Sequence, residues 1–377
     1  MKIVLTGVET NNKGAELMLY AILQEIERKY PDACVYISPY SVIQGLGYVK
    51  TSLKFRFWPY TKLMKLTHIN GILKKLHFPM IEGEDFVKAD YVLDGSGFLF
   101  SDQTKLWDTT PEWWEKRLSH QSEHGAKIVF LPQAIGPVEE ENTKNAIAVI
   151  NKYADVIMPR EKVSYGYLKE SGLVDMDKVR MYTDFTSVVD GIFPSRLEHL
   201  RGGICIIPNM RMIDKGKITY EDYIKLLSSI ISEGNRSGRP VYLLNHEGAK
   251  DEELAFQCQK SVTGRIEVIT GLNALEVKGL ITSAYVVVTS RFHGLASALN
   301  GCVPSLATSW SHKYEELFDD YQLQGYVLPL NHLDAALDKV KEILGEKENM
   351  RIRKHLSSQV PRIKSQTREM WNLIWGL

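Results

Sequence analysis

Ala284-Tyr285-Val286-Val287-Val288-Thr289-Ser290-Arg291-Phe292-His293-Gly294-Leu295-Ala296-Ser297-Ala298-Leu299 reads as a strand, a turn and a helix. The β-branched run has the length of one buried strand. The helix-forming run after it is closed by Gly301 and Pro304. Ser290 is then expected as the N-cap of a helix that starts at the carboxyl end of a parallel strand. Amide N–H groups and a positive dipole end at such a junction favour an anion. Arg291 adds a permanent cation and His293 a titratable proton carrier, while Phe292 and Gly294 complete the turn. A histidine that only hydrogen-bonds in a packing layer between domains would fit the same residues.

The same strand–turn–helix alternation recurs on both sides of this stretch. Downstream of a charged segment at 195–201, strands are expected over 203–207, 241–244, 266–268, 285–288 and 305–307, with helices over 221–235 and 251–262 between them. Upstream, 2–6, 33–38, 89–94, 127–131 and 154–158 repeat the pattern, with a helix over 15–29. Alternating strands and helices imply parallel sheets. The expected fold class is therefore α/β, with two Rossmann-like doubly wound domains facing across a cleft. The boundaries drawn are 1–195 for the first domain, 196–348 for the second, and 349–377 for a terminal helix. The aromatic end of that helix, Trp371 and Trp375, would pack back on the first domain.

Composition narrows the function classes. The chain has 377 residues, with 46 lysines and arginines balancing 46 aspartates and glutamates. That balance argues against a general nucleic-acid binder, so no nucleic-acid partner is expected. Four scattered cysteines without CxxC spacing fit small core residues in a reducing compartment. The first strand begins at Lys2 and no apolar run reaches the length of a spanning helix, so a cytoplasmic location is expected, with at most peripheral membrane contact. The one compositional break is 50–81. There Lys50, Lys54, Arg56, Lys62, Lys65, Lys74 and Lys75 alternate with Phe55, Phe57, Trp58, Tyr60 and Phe78, and the lysines and arginines have no acid among them. A basic, aromatic insertion suits an anionic membrane surface, although a helical excursion packed on the domain has the same composition.

Three strands of the first domain deliver polar residues to one rim, the edge where open α/β sheets bind ligands. The first brings Asp94, Ser96 and Asp102, the second Gln133, and the third Arg160. Asn12, Gly14 and Glu16 follow the first strand, but their turn lacks the GxGxxG dinucleotide spacing. In the second domain His246 follows a strand and Lys313 lies beyond the last one. His120 and His124 match the H-x-x-E-H spacing of some zinc enzymes, yet no third ligand is identifiable and a histidine is at home in a helix's last turn. No metal site is expected. Asp175-Met176-Asp177 precedes a strand and reads as a solvated turn.

In order, Asn12-Lys13-Gly14-Ala15-Glu16, Asp94-Gly95-Ser96-Gly97-Phe98, Pro132-Gln133-Ala134-Ile135-Gly136-Pro137, Pro159-Arg160-Glu161 with Ser164, Thr183-Asp184 and Ser290-Arg291-Phe292-His293-Gly294 are similar to the motifs of the polysaccharide pyruvyltransferase family, on a GT-B-like architecture. The chain departs from many members at Ala15-Glu16, where an acid often follows the glycine directly, and at Asp94 and Ser96, where glycines are common. The resemblance implies transfer of the enolpyruvyl unit of phosphoenolpyruvate to two hydroxyls of one sugar, giving a cyclic ketal and phosphate. It implies no cofactor beyond that donor substrate.

Such chemistry needs an acid for carbon 3 of the enol, and His293 fits. It needs cations for a carboxylate and a phosphate, and the resemblance carries over Arg160 and Arg291. Catalysis is thus expected from His293, Arg160 and Arg291. Donor binding is expected from Arg160 and the turn Ser290, Arg291, Phe292, His293 and Gly294, with the donor held in a closing cleft. Asn12, Gly14, Glu16, Asp94, Ser96, Asp102 and Gln133 are the acceptor-side candidates, and His246 and Lys313 stand second. The acceptor is expected to be a saccharide, polyprenyl-linked, in capsular, exo- or cell-wall polysaccharide synthesis. A GT-B glycosyltransferase using a nucleotide sugar and a non-catalytic saccharide-binding protein are the alternatives.

Overall fold

The computed structural model of the protein describes residues 1–10, 12–37, 88–104, 110–264 and 266–377, and the backbone of 54–57. The basic aromatic segment 50–81 otherwise lies outside the described residues. By contacts the chain divides into two compact units. One comprises 1–10, 18–185 and 369–377, the other 11–17 and 186–368. The larger piece of the second unit starts at Thr186, and the boundary drawn from sequence lies at 195.

The first unit holds a parallel sheet built from β1 (Lys2–Thr6), β2 (Cys34–Ile37), β3 (Lys54–Phe57), β4 (Tyr91–Asp94), β5 (Lys127–Gln133) and β6 (Val156–Pro159). Their order is β3-β2-β1-β4-β5-β6. Helices α1 (Lys13–Lys29), α2 (Pro111–Glu123), α3 (Glu141–Tyr153) and α4 (Lys162–Ser171) connect them. Thr110 caps α2 through the Trp113 amide, with a proline at the helix start. The order reverses between β1 and β4, where Thr6 lies in register with Asp94. Ligands bind α/β sheets at the carboxyl ends of such a strand pair, because the connections leave in opposite directions there.

The second unit repeats the scheme with β7 (Ile204–Ile207), β8 (Val241–Leu244), β9 (Glu267–Ile269), β10 (Val286–Thr289) and β11 (Ser305–Ala307), in the order β11-β10-β7-β8-β9. The switch falls between β7 and β10, where Ile207 pairs with Thr289. Alternation along the strands divides their side chains between two cores. Ile204, Ile206, Val286 and Val288 enter one, and Cys205, Ile207 and Val287 the other. A sheet covered on both faces needs such continuous apolar strands. Its helices are α5 (Arg211–Asp214), α6 (Tyr220–Arg236), α7 (Gly248–Lys260), α8 (Ala274–Thr282), α9 (Phe292–Asn300), α10 (Lys313–Asp320), α11 (Leu333–Leu344) and α12 (Glu346–Ile374). Thr219 caps α6, whose Tyr223, Leu226, Leu227, Ile230 and Ile231 recur at helical spacing and are all buried. Each side chain of this size contributes about 1.5–3 kcal/mol by leaving water.

Helix α12 serves both units in turn. Ile352, Leu356 and Ile363 join the core of the second. In the first, Trp375 meets Tyr30 and Tyr91 edge-on at 5.3 and 5.1 Å, and its indole N–H donates to Glu25 Oε1 at 2.8 Å. Among the described residues no helix is long and apolar enough to cross a membrane.

Candidate functional site

The turn after β10 sits at the switch point of the second sheet. Ser290 is 1 % exposed and does not cap α9; the N-cap is Arg291, with no side-chain capping bond. Ser290 is instead a fastening. Its hydroxyl pairs with Tyr223 at 2.5 Å and with Thr308, and its carbonyl accepts from Asn209 Nδ2 at 2.6 Å and from the Tyr314 hydroxyl at 2.5 Å. The ends of β7, β10 and β11 and two helices are thereby tied to one residue. Sequence misses this role because four of those partners are distant in the chain. The first amides of α9, at Phe292, His293 and Gly294, are the donors a helix start leaves without intrahelical carbonyls.

Arg291 is not a bare cation. Its Nε donates to Asp251 Oδ2 at 2.8 Å, and its terminal nitrogens pair with Asp251 and Glu247. Asp251 is almost fully buried and also accepts the Met210 amide at 2.9 Å, whereas the Glu247 side chain is 30 % exposed. The inner carboxylate therefore fixes the guanidinium, and the outer one covers its accessible edge. Both sit at the start of α7, Glu247 as its N-cap residue. Their four-residue spacing is the sequence signal that could have paired them.

The turn ahead of α1 also belongs here. Sequence assigned Asn12, Gly14 and Glu16 to the acceptor side of the first domain, but 11–17 group with the second unit. Asn12 forms a backbone bridge with Glu247. Its side chain accepts from the Gly14 and Ala15 amides at 2.8 and 3.3 Å, capping the helix. Lys13 pairs with the buried Glu16 at 2.5 Å. A Cβ on Gly14 would lie 2.2 Å from His293 Nδ1, far inside contact distance, so this backbone forms the wall against which the ring rests. Only glycine permits that approach.

His246, at the carboxyl end of β8, is 4 % exposed. Burial first, then the charges of Arg291, His293 and Lys13, push its imidazole well below the usual histidine range. Its Nδ1 has no hydrogen-bond partner among the described residues. Lys13, His246, Arg291 and His293 thus form one basic cluster. Lys313 lies 4.3 Å over the Trp310 ring, outside the Ser290 fastening.

The rim of the first sheet holds the other expected residues. Asp94 is 1 % exposed and accepts from Thr6 Oγ1 at 2.6 Å, from the Ser96 amide at 3.2 Å and from Gln133 Nε2 at 3.4 Å. Burial raises its pKa against those bonds. Arg160, also buried, lies 3.7 Å from Asp184 and 4.0 Å from Glu161. Glu161 pairs with Ser164, which accepts the Ile135 amide at 2.7 Å. The four sequence motifs of this unit are thereby knitted into one rim. Asp102 accepts the Glu139 and Glu140 amides at 2.7 and 3.2 Å, ahead of α3. Elsewhere the His120 and His124 rings lie 4.5 Å apart and tilted by 47°, with His124 Nδ1 2.7 Å from the His120 carbonyl.

Two parallel sheets with ligand-type rims define the GT-B class, and solved structures agree. The chain is similar to the S. aureus MnaA structure with UDP (14 % identity, TM-score 0.62, 99 % of this chain and 96 % of that one). It is similar to UDP-GlcNAc 2-epimerase from Neisseria meningitidis bound to UDP-GlcNAc (11 %, 0.60, all of both chains). The third is WaaG, a glycosyltransferase involved in lipopolysaccharide biosynthesis (12 %, 0.56, all of both chains). No curated protein sequence matches the chain. The family model for polysaccharide pyruvyl transferase covers residues 12–312, from the α1 cap to the foot of α10, and the protein belongs to that family of transferases.

Proposed function

We propose that the enzyme transfers the pyruvyl unit of phosphoenolpyruvate to two hydroxyls of one sugar. One observation carries this reading: Lys13, Arg291, His246 and His293 gather at the switch point of the second sheet, where α9 begins. A donor with a carboxylate and a phosphate needs such a set, and a helix start adds to it.

The reaction balances without outside reagents. His293 delivers a proton to carbon 3 of the enol, turning CH2 into CH3 and leaving an oxocarbenium-like carbon 2. One sugar hydroxyl adds there, the bond from carbon 2 to the phosphate oxygen breaks, and the second hydroxyl closes the ketal. The two hydroxyls release two protons; one replaces the proton given to carbon 3 and the other leaves on phosphate. Arg291 holds the donor's negative charge, competing with Glu247 for the accessible edge of the guanidinium. On the first rim Asp94 and Gln133 offer groups suited to hydroxyls.

A saccharide carried on a polyprenyl lipid would bring the basic segment 50–81 to an anionic membrane surface. Replacing Lys54, Arg56, Lys62 and Lys65 with Gln should weaken binding to phosphatidylglycerol vesicles, and unchanged binding removes this element. The central test is phosphate release from phosphoenolpyruvate across a panel of acceptor saccharides. Release that depends on an acceptor supports the reading. Thermal stabilisation by UDP with none by phosphoenolpyruvate would replace it with a nucleotide-sugar glycosyltransferase.

A further inference from the structure

Ketal formation moves two protons, and His293 accounts for the carrier of one. We infer that His246 is the second carrier: an anion arriving among Lys13, Arg291 and His293 brings a proton from solvent onto the His246 ring as it binds. This rests on the donor reading above.

Geometry supplies the argument. His246 is enclosed at the end of β8, and its Nδ1 has no partner among the described residues. A buried imidazole nitrogen without a partner is costly unless something bound later satisfies it. The charged groups around it come from three elements. Lys13 and Glu16 stand at the start of α1, Glu247 and Asp251 at the start of α7, and Arg291 and His293 at the start of α9. Glu16 is occupied by Lys13, and Glu247 and Asp251 by Arg291. Even with those carboxylates in place, burial and the surrounding cations keep a proton off the ring.

A donor carboxylate and phosphate reverse that balance. They neutralise Lys13 and Arg291, and they present oxygen acceptors to a protonated Nδ1. The proton that was repelled in the free enzyme is then favoured, so donor binding and protonation of His246 are linked. The loaded ring carries the proton that the departing phosphate requires, and a sugar hydroxyl restores it afterwards.

Titration calorimetry with phosphoenolpyruvate at pH 7.5 in HEPES and in Tris, whose ionisation enthalpies differ, reads the proton count directly. The native chain should take up more protons per donor bound than His246→Gln does, by at least about half a proton. Equal uptake in two chains that both bind overturns the inference and leaves the donor reading standing. A native chain that binds neither phosphoenolpyruvate nor inorganic phosphate overturns both. If His246→Gln does not bind, the native chain labelled with 13C-histidine answers instead. One buried imidazole should move from neutral to imidazolium shifts as donor is added, and histidine signals that all keep their charge state overturn the inference.

Discussion

The two rims are built on the same strand order and differ in which of their charges water can reach. On the first, Arg160 lies beside Glu161 and Asp184, Asp94 is bonded to Thr6 and Gln133, and all four charged side chains are buried. On the second, Lys13, Arg291 and two histidines meet Glu16, Glu247 and Asp251, and Lys13, Glu247, Arg291 and His293 remain partly exposed. Buried carboxylates suit hydroxyl protons, whereas an accessible lysine, arginine and imidazole suit an anion. Within one fold, the residues at the strand ends decide which kind of ligand each sheet suits.

His293→Ala tests that contrast hardest. The second rim then loses the proton carrier proposed for it, and phosphate release should fall by about 10²–10⁴-fold with the fold intact. Retained turnover in a steady-state phosphate assay would move the acid elsewhere.

Arg291→Met leaves Asp251 buried without its cation, which should cost about 3–5 kcal/mol by urea unfolding. Adding Asp251→Asn should return most of the stability but not donor binding. Recovery of both would make Arg291 a packing residue.

Gly14→Ala displaces the His293 ring. A misplacement of about 1 Å is enough to lower kcat by roughly 10²-fold. KM for the donor should change far less, and an unaltered kcat would separate the α1 turn from the chemistry.

The smallest effect belongs to the first rim. Burial raises the pKa of Asp94 above its ordinary value of 3.8. The sign follows from the folded state binding the extra proton. The cost of the buried charge is present above the folded value, and it fades as pH falls through that value toward 3.8. The native chain should therefore gain on Asp94→Asn as pH is lowered from neutrality toward 3.8 in urea unfolding. A difference independent of pH would mean that this carboxyl holds no proton.

Much of this was legible in the chain. Apolar strands alternating with amphipathic helices announced two parallel sheets, and strand ends named the rim residues from Asp94 to His293. Partnerships were not legible. Asn12, Gly14 and Glu16 follow β1, so sequence filed them with the first domain, whereas Gly14 lies against His293 because a residue without a side chain admits that approach. Ser290 reads as a cap and is a buried fastening for Tyr223, Asn209, Thr308 and Tyr314.

The sequence by itself determined the fold class and which side chains reach the strand ends, because periodicity and turn chemistry act over a few neighbouring residues. Only the tertiary structure decided that two carboxylates hold Arg291, and that His246 stands neutral among cations. Charge and burial depend on distance in space, and residues 13, 246 and 291 meet only once the chain has folded.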